Sequence, residues 1–508
     1  MMRRNHLSDE SARVEHWPRD WPQNVHPAGW QNPRLASRYK LVVIGGGTAG
    51  LVAAHAAAAL GAKVALVERH LLGGDCLNFG CVPSKTLLRS AHWVAHARDG
   101  ERFGGVALDD ARVDFTAVME RMRRVRARVS RNDSVQRLRE AGVDLFFGAA
   151  CFAGPDAVVV DGATLRFHKA LIATGSRPVM PTVPGLVDAG YHTHESIFDL
   201  TELPRRLLVM GGGPLGCEFA QAFCRFGSHT IIAQDEPMFL PKEERDAAQM
   251  VSDSLARDGV EIHLNSEVVR VRTDGKRKLV DLVSDEVHST VEVDEILTGI
   301  GRAPNVEAIG LEAAGVAYDH VNGVRVDDFL RSTNKNIYAA GDACLPHKFT
   351  HTADAAARIV VRNALFPGGQ RWSRLTIPWC TYTDPSVAHV GLYVREARER
   401  RIPVKTFTIL MHDVDRAIAD GEEHGFVKIH VREGSDTILG ATIVATRAGD
   451  MINEITLAMV AGIGLATLAD VIHAYPTQSE AIKKAADACR RAQLTPALAW
   501  LARRWLAR

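Results

Sequence analysis

Residues 39–68 read YKLVVIGGGTAGLVAAHAAAALGAKVALVE: an apolar run, a group of glycines, an Ala-rich stretch and a second apolar run that ends in an acid. This order predicts a strand, a helix and a second strand, with Gly45, Gly47 and Gly50 at the turn into the helix. Glycines there permit a tight turn and let backbone N–H groups approach a pyrophosphate, while Glu68 can accept from a ribose hydroxyl. The stretch therefore predicts an α/β unit that binds a dinucleotide.

The same pattern returns at residues 206–236, RLLVMGGGPLGCEFAQAFCRFGSHTIIAQDE, so the chain carries two such units. The glycines of the second motif are Gly211, Gly213 and Gly216. In this copy Gln234 stands where Glu68 stands in the first. A carboxylate there would repel the 2′-phosphate of NADP and an arginine would attract it, whereas a neutral Gln does neither strongly. The sequence predicts NAD(P) without a choice between its two forms.

A pair of cysteines follows the first unit, in GGDCLNFGCVPSK at residues 73–85. Zinc would need three or four ligands, and no second cysteine pair or closely spaced histidine pair accompanies Cys76 and Cys81. A structural disulfide in so short a loop would contribute about 2 to 3 kcal/mol and would be hard to keep oxidised in the cytosol. A redox role remains, and it agrees with a position at the sheet edge where a cofactor would lie.

The amino-acid composition limits the classes of binding partner and the cellular compartment that we expect. The 508 residues carry 61 Lys and Arg against 60 Asp and Glu, so no excess of positive charge selects nucleic acid or anionic lipid. The uncharged run at 455–469 is too short to span a bilayer. Residues 1–38 lack the apolar region of a secretory signal, which makes the cytoplasm the expected location. Their tryptophans Trp17, Trp21 and Trp30 favour an arm docked on the body.

Further loops follow predicted strands in LIATGSRP (171–178), LTGIGRAPN (297–305) and NIYAAGD (336–342). The last places Asp342 at the carboxyl end of a strand, where a carboxylate can hold a polyol chain; capping of the following helix is the alternative. From residue 374 onward, alternating runs such as GFVKIHV and TILGATIVA, followed by two helical stretches, predict an α+β domain.

An arginine-rich stretch occupies residues 119–140, MERMRRVRARVSRNDSVQRLRE. It predicts a long exposed helix. Because the charge of the whole chain is balanced, we expect its basic face to be solvated rather than to bind anions.

The cysteine stretch closely resembles the active-site signature of the flavin-dependent pyridine nucleotide-disulfide oxidoreductases, the family of glutathione reductase, dihydrolipoamide dehydrogenase and mercuric reductase. Both glycine motifs and the segments ATGSRP, GRAPN, AAGD and TDP also occur in the order of that family. The resemblance covers nearly all of the chain after residue 38. It implies Rossmann-like domains for FAD and NAD(P)H and a C-terminal α+β dimerisation domain, in a homodimer whose subunits complete each other's active sites.

The resemblance also implies domain limits and cofactor contacts. The chain would divide into an N-terminal arm (1–38), an FAD-binding domain in two parts (39–190 and 321–372), an NAD(P)-binding domain (191–320) and a dimerisation domain (373–508). FAD would contact Gly45, Gly47, Gly50, Glu68, Lys85, Thr174, Gly175, Gly341 and Asp342. NAD(P) would contact Gly211, Gly213, Gly216, Gln234 and Gly301. No resident metal site is expected.

Carried over to the cysteine stretch, the resemblance makes Cys81 the charge-transfer thiol beside the flavin and Cys76 the interchange thiol that meets the substrate. Lys85 would lie near flavin N5 and pair with Glu218. The chemistry is consistent with these residue types, because an unperturbed thiol is only about 3% thiolate at pH 7. A nucleophilic pair needs a nearby cation and a helix N-terminus to lower its pKa.

The chain departs from the family at HAYPTQSE, residues 473–480. Disulfide reductases carry a His-Pro-Thr motif here, whose histidine, held by a glutamate, shuttles the proton of the interchange thiol. Pro476, Thr477 and Glu480 match, but Tyr475 takes the place of the histidine, as it does in mercuric reductase. With a pKa near 10, a phenol is a poor base at pH 7 but an acceptable proton donor. A passive interface role for Tyr475 is the alternative.

The remaining cysteines leave the acceptor open. Mercuric reductase delivers its ion through a C-terminal cysteine pair, whereas this chain ends with a single Cys489, which we expect to be core, as we do for Cys217 and Cys224. Cys344 and Cys380 could approach the site. The sequence favours a mercuric reductase-like enzyme that reduces a thiophilic metal ion, a small disulfide or another acceptor. A dihydrolipoamide dehydrogenase-like subunit of a 2-oxoacid dehydrogenase complex and a flavin-carrying redox sensor are the alternatives.

Overall fold

The computed structural model describes residues 20–100, 104, 112–494 and 496–507. The start of the predicted arm, residues 1–19 with Trp17, lies outside the described residues. Two units with parallel sheets are followed by a C-terminal domain with an antiparallel sheet. The predicted fold class, two Rossmann-like units and an α+β domain, is confirmed.

The first glycine motif belongs to a mostly parallel sheet. Its strands run in the order Asp144–Phe147, Val64–Glu68, Tyr39–Ile44 and Ala163–Ile172, with Ile337–Ala339 parallel to the last, and Ala157–Val160 and Cys151–Gly154 antiparallel beyond it. The helices of this unit are Thr48–Ala59, Gly74–Asn78, Cys81–Arg98, Phe115–Ser130, Val135–Glu140 and Thr350–Leu365. Tyr39–Ile44 is buried except at Lys40, because helices cover one face of the strand and the antiparallel strands with the 306–324 segment cover the other.

The ends of three of these strands lie side by side, which positions the site. Ile44 is in register with Ile172, and Ile172 is in register with Ala339. The loops that follow these residues therefore meet at one edge of the sheet, although they are far apart in sequence. Parallel α/β sheets bind ligands at this edge.

The second glycine motif belongs to a parallel sheet with the order Glu261–His263, His229–Ala233, Arg206–Met210 and Glu295–Thr298. It is accompanied by the helices Leu186–Ala189, Pro214–Phe226 and Arg245–Asp258 and by the antiparallel strands Ser266–Asp274, Arg277–Ser284 and Val287–Val293. The short pair Tyr318–Asp319 and Gly323–Val324 packs on the core of the first unit instead. The chain passes between the two units through Ser176–Pro178 and Arg302–Pro304, which pair antiparallel. These two crossing strands connect the first unit to the second.

The C-terminal domain has an antiparallel sheet in the order Pro378–Thr381, Ser386–Gly391, Ile438–Ala445, Phe426–Arg432 and Val404–Leu410. Its helices are Val394–Glu399, Asp415–Ala419, Ala448–Ala461, Glu480–Ala492 and Pro496–Leu506. A separate hydrophobic core fills the space between the sheet and the helices. In the part of the chain that the structure covers, no helix combines the length and the apolar character needed to cross a membrane.

The described part of the arm is docked on the first unit. Trp21 is buried, its indole N–H donates to Asn78 Oδ1 at 3.2 Å, and the Arg126 guanidinium lies 4.6 Å from the centre of its ring. Further along the arm, the Trp30 ring meets Phe147 edge-on at 5.6 Å. Trp21 thus contacts the last residue of Gly74–Asn78, the short helix that carries Cys76.

The prediction that the arginine-rich stretch forms one solvated helix is wrong in part. Residues 119–140 form the helices Phe115–Ser130 and Val135–Glu140 rather than one continuous helix. Arg126 is only 1% exposed, because it lies under Trp21 and donates to the carbonyl of Asn78 at 3.0 Å. The arm covers this arginine, and a charge count along the sequence carries no sign of that contact.

We predict that Trp21→Ala destabilises the first unit. Removing a fully buried indole costs about 3 kcal/mol or more and also removes the hydrogen bond to Asn78. Thermal unfolding of the full-length protein should show a lower midpoint. Trp93→Ala, at a side chain that is 66% exposed, is the matched control and should leave the midpoint nearly unchanged. Equal midpoints for the two variants would contradict the docked arm.

Candidate active site

A cleft of about 450 Å³ opens at the edge of the first sheet where the three strand ends meet. The segments that line it come from the first glycine loop, the end of the second strand, the cysteine stretch, the loop after Ile172 and the loop after Ala339. The predicted FAD contacts among its lining residues are Gly45, Gly47, Glu68, Thr174, Gly175, Gly341 and Asp342. Cys76 and Cys81 line the same cleft.

The glycine loop has the shape of a phosphate cradle. Gly45 has a φ of +106°, and a Cβ at Gly50 would lie 1.8 Å from the Gly45 carbonyl oxygen, so neither position admits a side chain. A Cβ at Gly47 would meet nothing closer than 3.7 Å. The helix that follows has no side-chain cap at its N-terminus. Its backbone N–H groups are available to a pyrophosphate, so the residues present fit a dinucleotide.

Glu68 closes the end of the second strand and is buried. Its carboxylate accepts from the backbone N–H of Gly46 at 2.6 Å and from that of His70 at 2.7 Å. Burial raises its pKa, against the effect of these two bonds. Glu68 therefore braces the glycine loop, and its remaining lone pairs can still accept from a ribose hydroxyl.

The loops after the other two strands add polar groups. Thr174 donates through its hydroxyl to the carbonyl of Asn305 at 2.7 Å, and Gly175 has a φ of +70°. Asp342 accepts from the Ser176 hydroxyl at 2.6 Å. It lies in a single 3-10 turn, Gly341–Ala343. Its carboxylate faces the cleft, the arrangement that holding a polyol chain requires.

The two cysteines form an asymmetric thiol pair. A hydrogen bond from Cys76, with smaller contributions from Thr350 and Lys85, lowers the pKa of Cys81 to about 6, against partial desolvation of its sulfur. Donating that bond, together with burial, raises the pKa of Cys76. Cys81 is also the first residue of the helix Cys81–Arg98, whose N-terminal dipole favours an anion. The hydrogen bond between the two thiols therefore favours a thiolate at Cys81 over one at Cys76.

A charge pair lies beside the thiols. Lys85 Nζ is 2.6 Å from Glu218 Oε2, and Glu218 is only 5% exposed. The other oxygen of Glu218 accepts from the backbone N–H of Tyr382 at 2.8 Å, and Lys85 Nζ lies 4.8 Å from the centre of the Tyr382 ring. Tyr382 thus belongs to the site. It precedes the TDP segment, and sequence analysis missed it.

A second polar cluster was also missed. The Arg302 guanidinium contacts the Asp75 carboxylate, lies 2.8 Å from His194 Nε2 and donates to the Ser176 hydroxyl at 2.8 Å. Burial opposes it, but the hydrogen bond from His194 and the charge of Arg302 hold the pKa of Asp75 below its usual value. The cluster joins the residue before Cys76 to both crossing strands. Asp75 and Arg302 stood inside the quoted motifs, whereas His194 carried no sequence signal.

The second glycine loop repeats the first in a separate unit. A Cβ at Gly216 would lie 2.0 Å from the Gly211 carbonyl oxygen, while a Cβ at Gly213 meets nothing within 4 Å. Gln234 accepts from the Gly212 backbone N–H through its side-chain oxygen, the same contact that Glu68 makes in the first unit. Gly301 has a φ of +129° and lies just before the crossing strand Arg302–Pro304, so it is not part of this loop.

Two predicted catalytic residues lie away from the cleft within one chain. Tyr475 is 71% exposed, and its hydroxyl donates to Asp415 at 2.9 Å, which raises the pKa of the phenol. Glu480 has one oxygen 3.3 Å from Lys484 Nζ and the other buried without a hydrogen-bond partner. His473 is held 2.8 Å from Glu454 and does not take the histidine position.

The other cysteines are buried in the core or lie close to the candidate site. Cys217 and Cys489 are buried, as expected, and Cys224 is partly buried. Burial raises the pKa of Cys344. Burial also raises that of Cys380, which lies within electrostatic range of Glu218 and Lys85. Cys380 is therefore the cysteine that the fold brings towards the thiol pair.

Comparison with family models gives two matches. Residues 39–358 match the pyridine nucleotide-disulphide oxidoreductase model, and residues 377–486 match the model of its dimerisation domain. Together the two models cover most of the chain. A dimerisation domain supports a homodimer.

Relatives are found among curated proteins and solved structures. The mercuric reductase of Staphylococcus aureus is 32% identical over 477 residues, covering 91% of this chain and 87% of that protein. The dihydrolipoyl dehydrogenase of Thermus scotoductus is 33% identical over 464 residues, covering 89% and 97%.

Among structures, the HOCl-induced flavoprotein disulfide reductase RclA of Escherichia coli superposes with a TM-score of 0.79 at 30% identity, covering 88% of this chain and 99% of that one. A Cu(II) complex of RclA matches with the same TM-score at 29% identity, covering 89% and 99%. These matches agree with the glycine loops, the thiol pair and the α+β domain. The chain belongs to the FAD-dependent pyridine nucleotide-disulfide oxidoreductase family and uses FAD and NAD(P)H.

Proposed function

We propose that this enzyme passes electrons from NAD(P)H through FAD to the Cys76–Cys81 disulfide, and from the resulting dithiol to a thiophilic metal ion, or otherwise to a small disulfide or another acceptor. The observation that carries the choice of acceptor is Tyr475. Its proton is committed to Asp415, and its pKa lies above that of an ordinary phenol. The chain thus has a proton donor where disulfide reductases of this family have a base.

The proposed roles of the cysteines follow from their charge states. Bound FAD would take a hydride from the nicotinamide and supply two electrons to the disulfide. The S–S bond breaks, Cys81 keeps its pair as a thiolate, and Cys76 takes one proton. The thiolate is stable at Cys81 because Cys76, Thr350 and Lys85 all lower its pKa. Cys76 is then the sulfur that meets the acceptor.

We assign Lys85 and Glu218 to positioning the charge near the flavin. Glu218 is held by the Lys85 ammonium and by the Tyr382 backbone, so the ammonium cannot swing into solvent without leaving a buried carboxylate unpaired. A fixed cation beside Cys81 stabilises its thiolate.

A metal ion suits this site better than a dithiol substrate does. Oxidation of dihydrolipoamide needs a base to remove a proton from the substrate thiol. A thiophilic ion has no such proton: the ion takes the two electrons, the Cys76–Cys81 disulfide re-forms, and the one proton released is that of Cys76, which leaves to water as its sulfur binds the ion. Relatives are named mercuric reductases, and RclA forms a Cu(II) complex, which supports a metal ion as the acceptor. The single Cys489 near the C-terminus is buried, so the ion would reach Cys76 directly.

A homodimer would complete the site. The C-terminal domain exposes Leu457, Val460 and Ile472 at 66%, 68% and 95%, beside Tyr475. Apolar surface of this kind supports a subunit interface. Tyr475 and Glu480 would then act on the thiol pair of the partner subunit. All eight cysteines lie in described residues and are free, which supports a reducing cytoplasm as the location.

Dihydrolipoamide dehydrogenase is the second candidate. Dihydrolipoyl dehydrogenases match this chain as well as mercuric reductases do, and Pro476, Thr477 and Glu480 of their motif are present. Tyr475 is the residue that weighs against this candidate.

Alkylation of Cys81 should report its thiolate. In the FAD-free protein Cys81 is exposed, so its reaction rate with iodoacetamide should rise with pH and level off above a midpoint near 6. Below that pH the sulfur is protonated and the reaction slows. Cys76→Ala removes the hydrogen bond and should shift the midpoint upward. Cys81→Ser should remove the labelling of that position, followed by peptide mass mapping because the exposed Cys151 also reacts. A midpoint near 8.5 in the unaltered protein would contradict the assigned thiolate.

An anaerobic acceptor panel tests the proposed reaction. NADH or NADPH oxidation should be faster with Hg(II) or Cu(II) thiolates than with lipoamide, glutathione disulfide or quinones, and Cys76→Ser should abolish it. Rapid lipoamide turnover would favour the second candidate. Bound FAD with negligible turnover on every acceptor would indicate a redox sensor and overturn the proposal.

Substitution of Tyr475 tests whether this residue makes the enzyme a poor oxidant of dihydrolipoamide. Tyr475→His restores a group that can act as a base, and dihydrolipoamide oxidation should rise by about 100-fold. Tyr475→Phe, the control, removes only the hydroxyl and should leave dihydrolipoamide oxidation as slow as in the unaltered enzyme. If the histidine variant gains nothing, Tyr475 is a passive interface residue.

A further inference from the structure

We propose that the electron donor of this enzyme is NADH, and that the carboxylates of Asp235 and Glu236 select it against NADPH. This inference rests on the proposed NAD(P) role of the second unit. It deepens that role by assigning the donor, and it is independent of the acceptor.

The two acids lie where the adenosine ribose of a dinucleotide would be held. They follow the strand His229–Ala233 at its carboxyl end, with only Gln234 between. Gln234 bonds through its side-chain oxygen to the Gly212 N–H, so this strand end is tied to the glycine loop. In a Rossmann-like unit the pyrophosphate lies on that loop and the ribose lies between the loop and the end of the second strand.

The turn that carries the acids is held in place by backbone hydrogen bonds. The Gln234 N–H donates to the carbonyl of His263 at 2.9 Å, the Ser266 N–H donates to the carbonyl of Gln234 at 2.8 Å, and the Asn265 N–H donates to the carbonyl of Glu236 at 3.2 Å. Asp235 and Glu236 are both exposed on this fixed turn. The backbone cannot move the two charges away from a bound nucleotide without breaking these bonds.

Two basic groups lie on the neighbouring segments. The charge of Lys242 bears on His347 and Lys348, on the side of the flavin cleft. The ring of His263, at the end of the adjacent strand, is bonded to Glu261 at 2.6 Å. The Gln234 amide is neutral.

A 2′-phosphate, with its own charge of about −2, would therefore meet two negative side chains carried by a turn whose backbone is held in place. The 2′-hydroxyl of NADH meets no such repulsion and can bond to the Gln234 amide. Because exposed charges are screened by salt, the discrimination should weaken as ionic strength rises. Neither acid occupies the position at which the glycine motif normally selects the nucleotide, which is Gln234 here.

Anaerobic flavin reduction in a stopped-flow instrument tests the proposal. The FAD-loaded full-length protein is mixed with NADH or NADPH without any acceptor, so the result does not depend on which acceptor the enzyme uses. We expect the Kd for NADPH to exceed that for NADH by at least about tenfold at low ionic strength, and the gap to narrow as salt is added.

Two double variants distinguish repulsion by Asp235 and Glu236 from a general effect of removing two surface charges. Asp235→Asn with Glu236→Gln should raise the preference for NADPH relative to NADH by about tenfold. Asp285→Asn with Glu286→Gln alters an identical exposed Asp-Glu pair on another turn of the same unit and should leave the ratio unchanged.

Equal or tighter binding of NADPH to the unaltered enzyme would overturn the inference, as would the same ratio in both double variants. Reduction by neither nucleotide is a different result. It would overturn the proposed donor role of the second unit itself.

Discussion

The close approach of a helix to the strand before it organises both nucleotide units. A Cβ at Gly50 would lie 1.8 Å from the carbonyl oxygen of Gly45, and a Cβ at Gly216 would lie 2.0 Å from that of Gly211. Only hydrogen fits in these spaces, so each helix packs directly on its strand and directs its N-terminus at the carboxyl edge of the sheet. The cleft, the thiol pair and the acidic turn are all placed relative to that edge.

The charged residues around the two thiols form ion pairs. Lys85 and Glu218 lie on one side of the thiols, and the cluster of Arg302 with Asp75 lies on the other. Both pairs join the cysteine-bearing segment to distant parts of the chain. A thiolate at Cys81 is stable because the surrounding dipoles and the cation are held in position before the reaction begins.

Sequence patterns predicted the interactions between residues that are close together in the chain and missed those between residues that are far apart. Gly45 and Gly50, or Cys76 and Cys81, act over a few positions, and their local pattern predicted both the fold and the candidate thiol pair. His194 and Tyr382 join the site through contacts with residues more than 100 positions away, and nothing in their own neighbourhood indicates it. Arg126 illustrates an error of the same origin, because a tryptophan 105 positions earlier covers its charge.

The amino-acid sequence was enough to predict the two dinucleotide units, a redox role for the cysteines and a tyrosine, Tyr475, in place of the usual base. These properties depend on residue type and short spacing, which set backbone conformation and chemical reactivity locally. Only the folded chain shows what lowers the pKa of Cys81, that Asp75 and Arg302 link the thiol segment to the crossing strands, and that the acids after Gln234 stand on a turn held by backbone hydrogen bonds. A pKa and a charge pairing depend on what surrounds a group in space, and only folding brings those neighbours together.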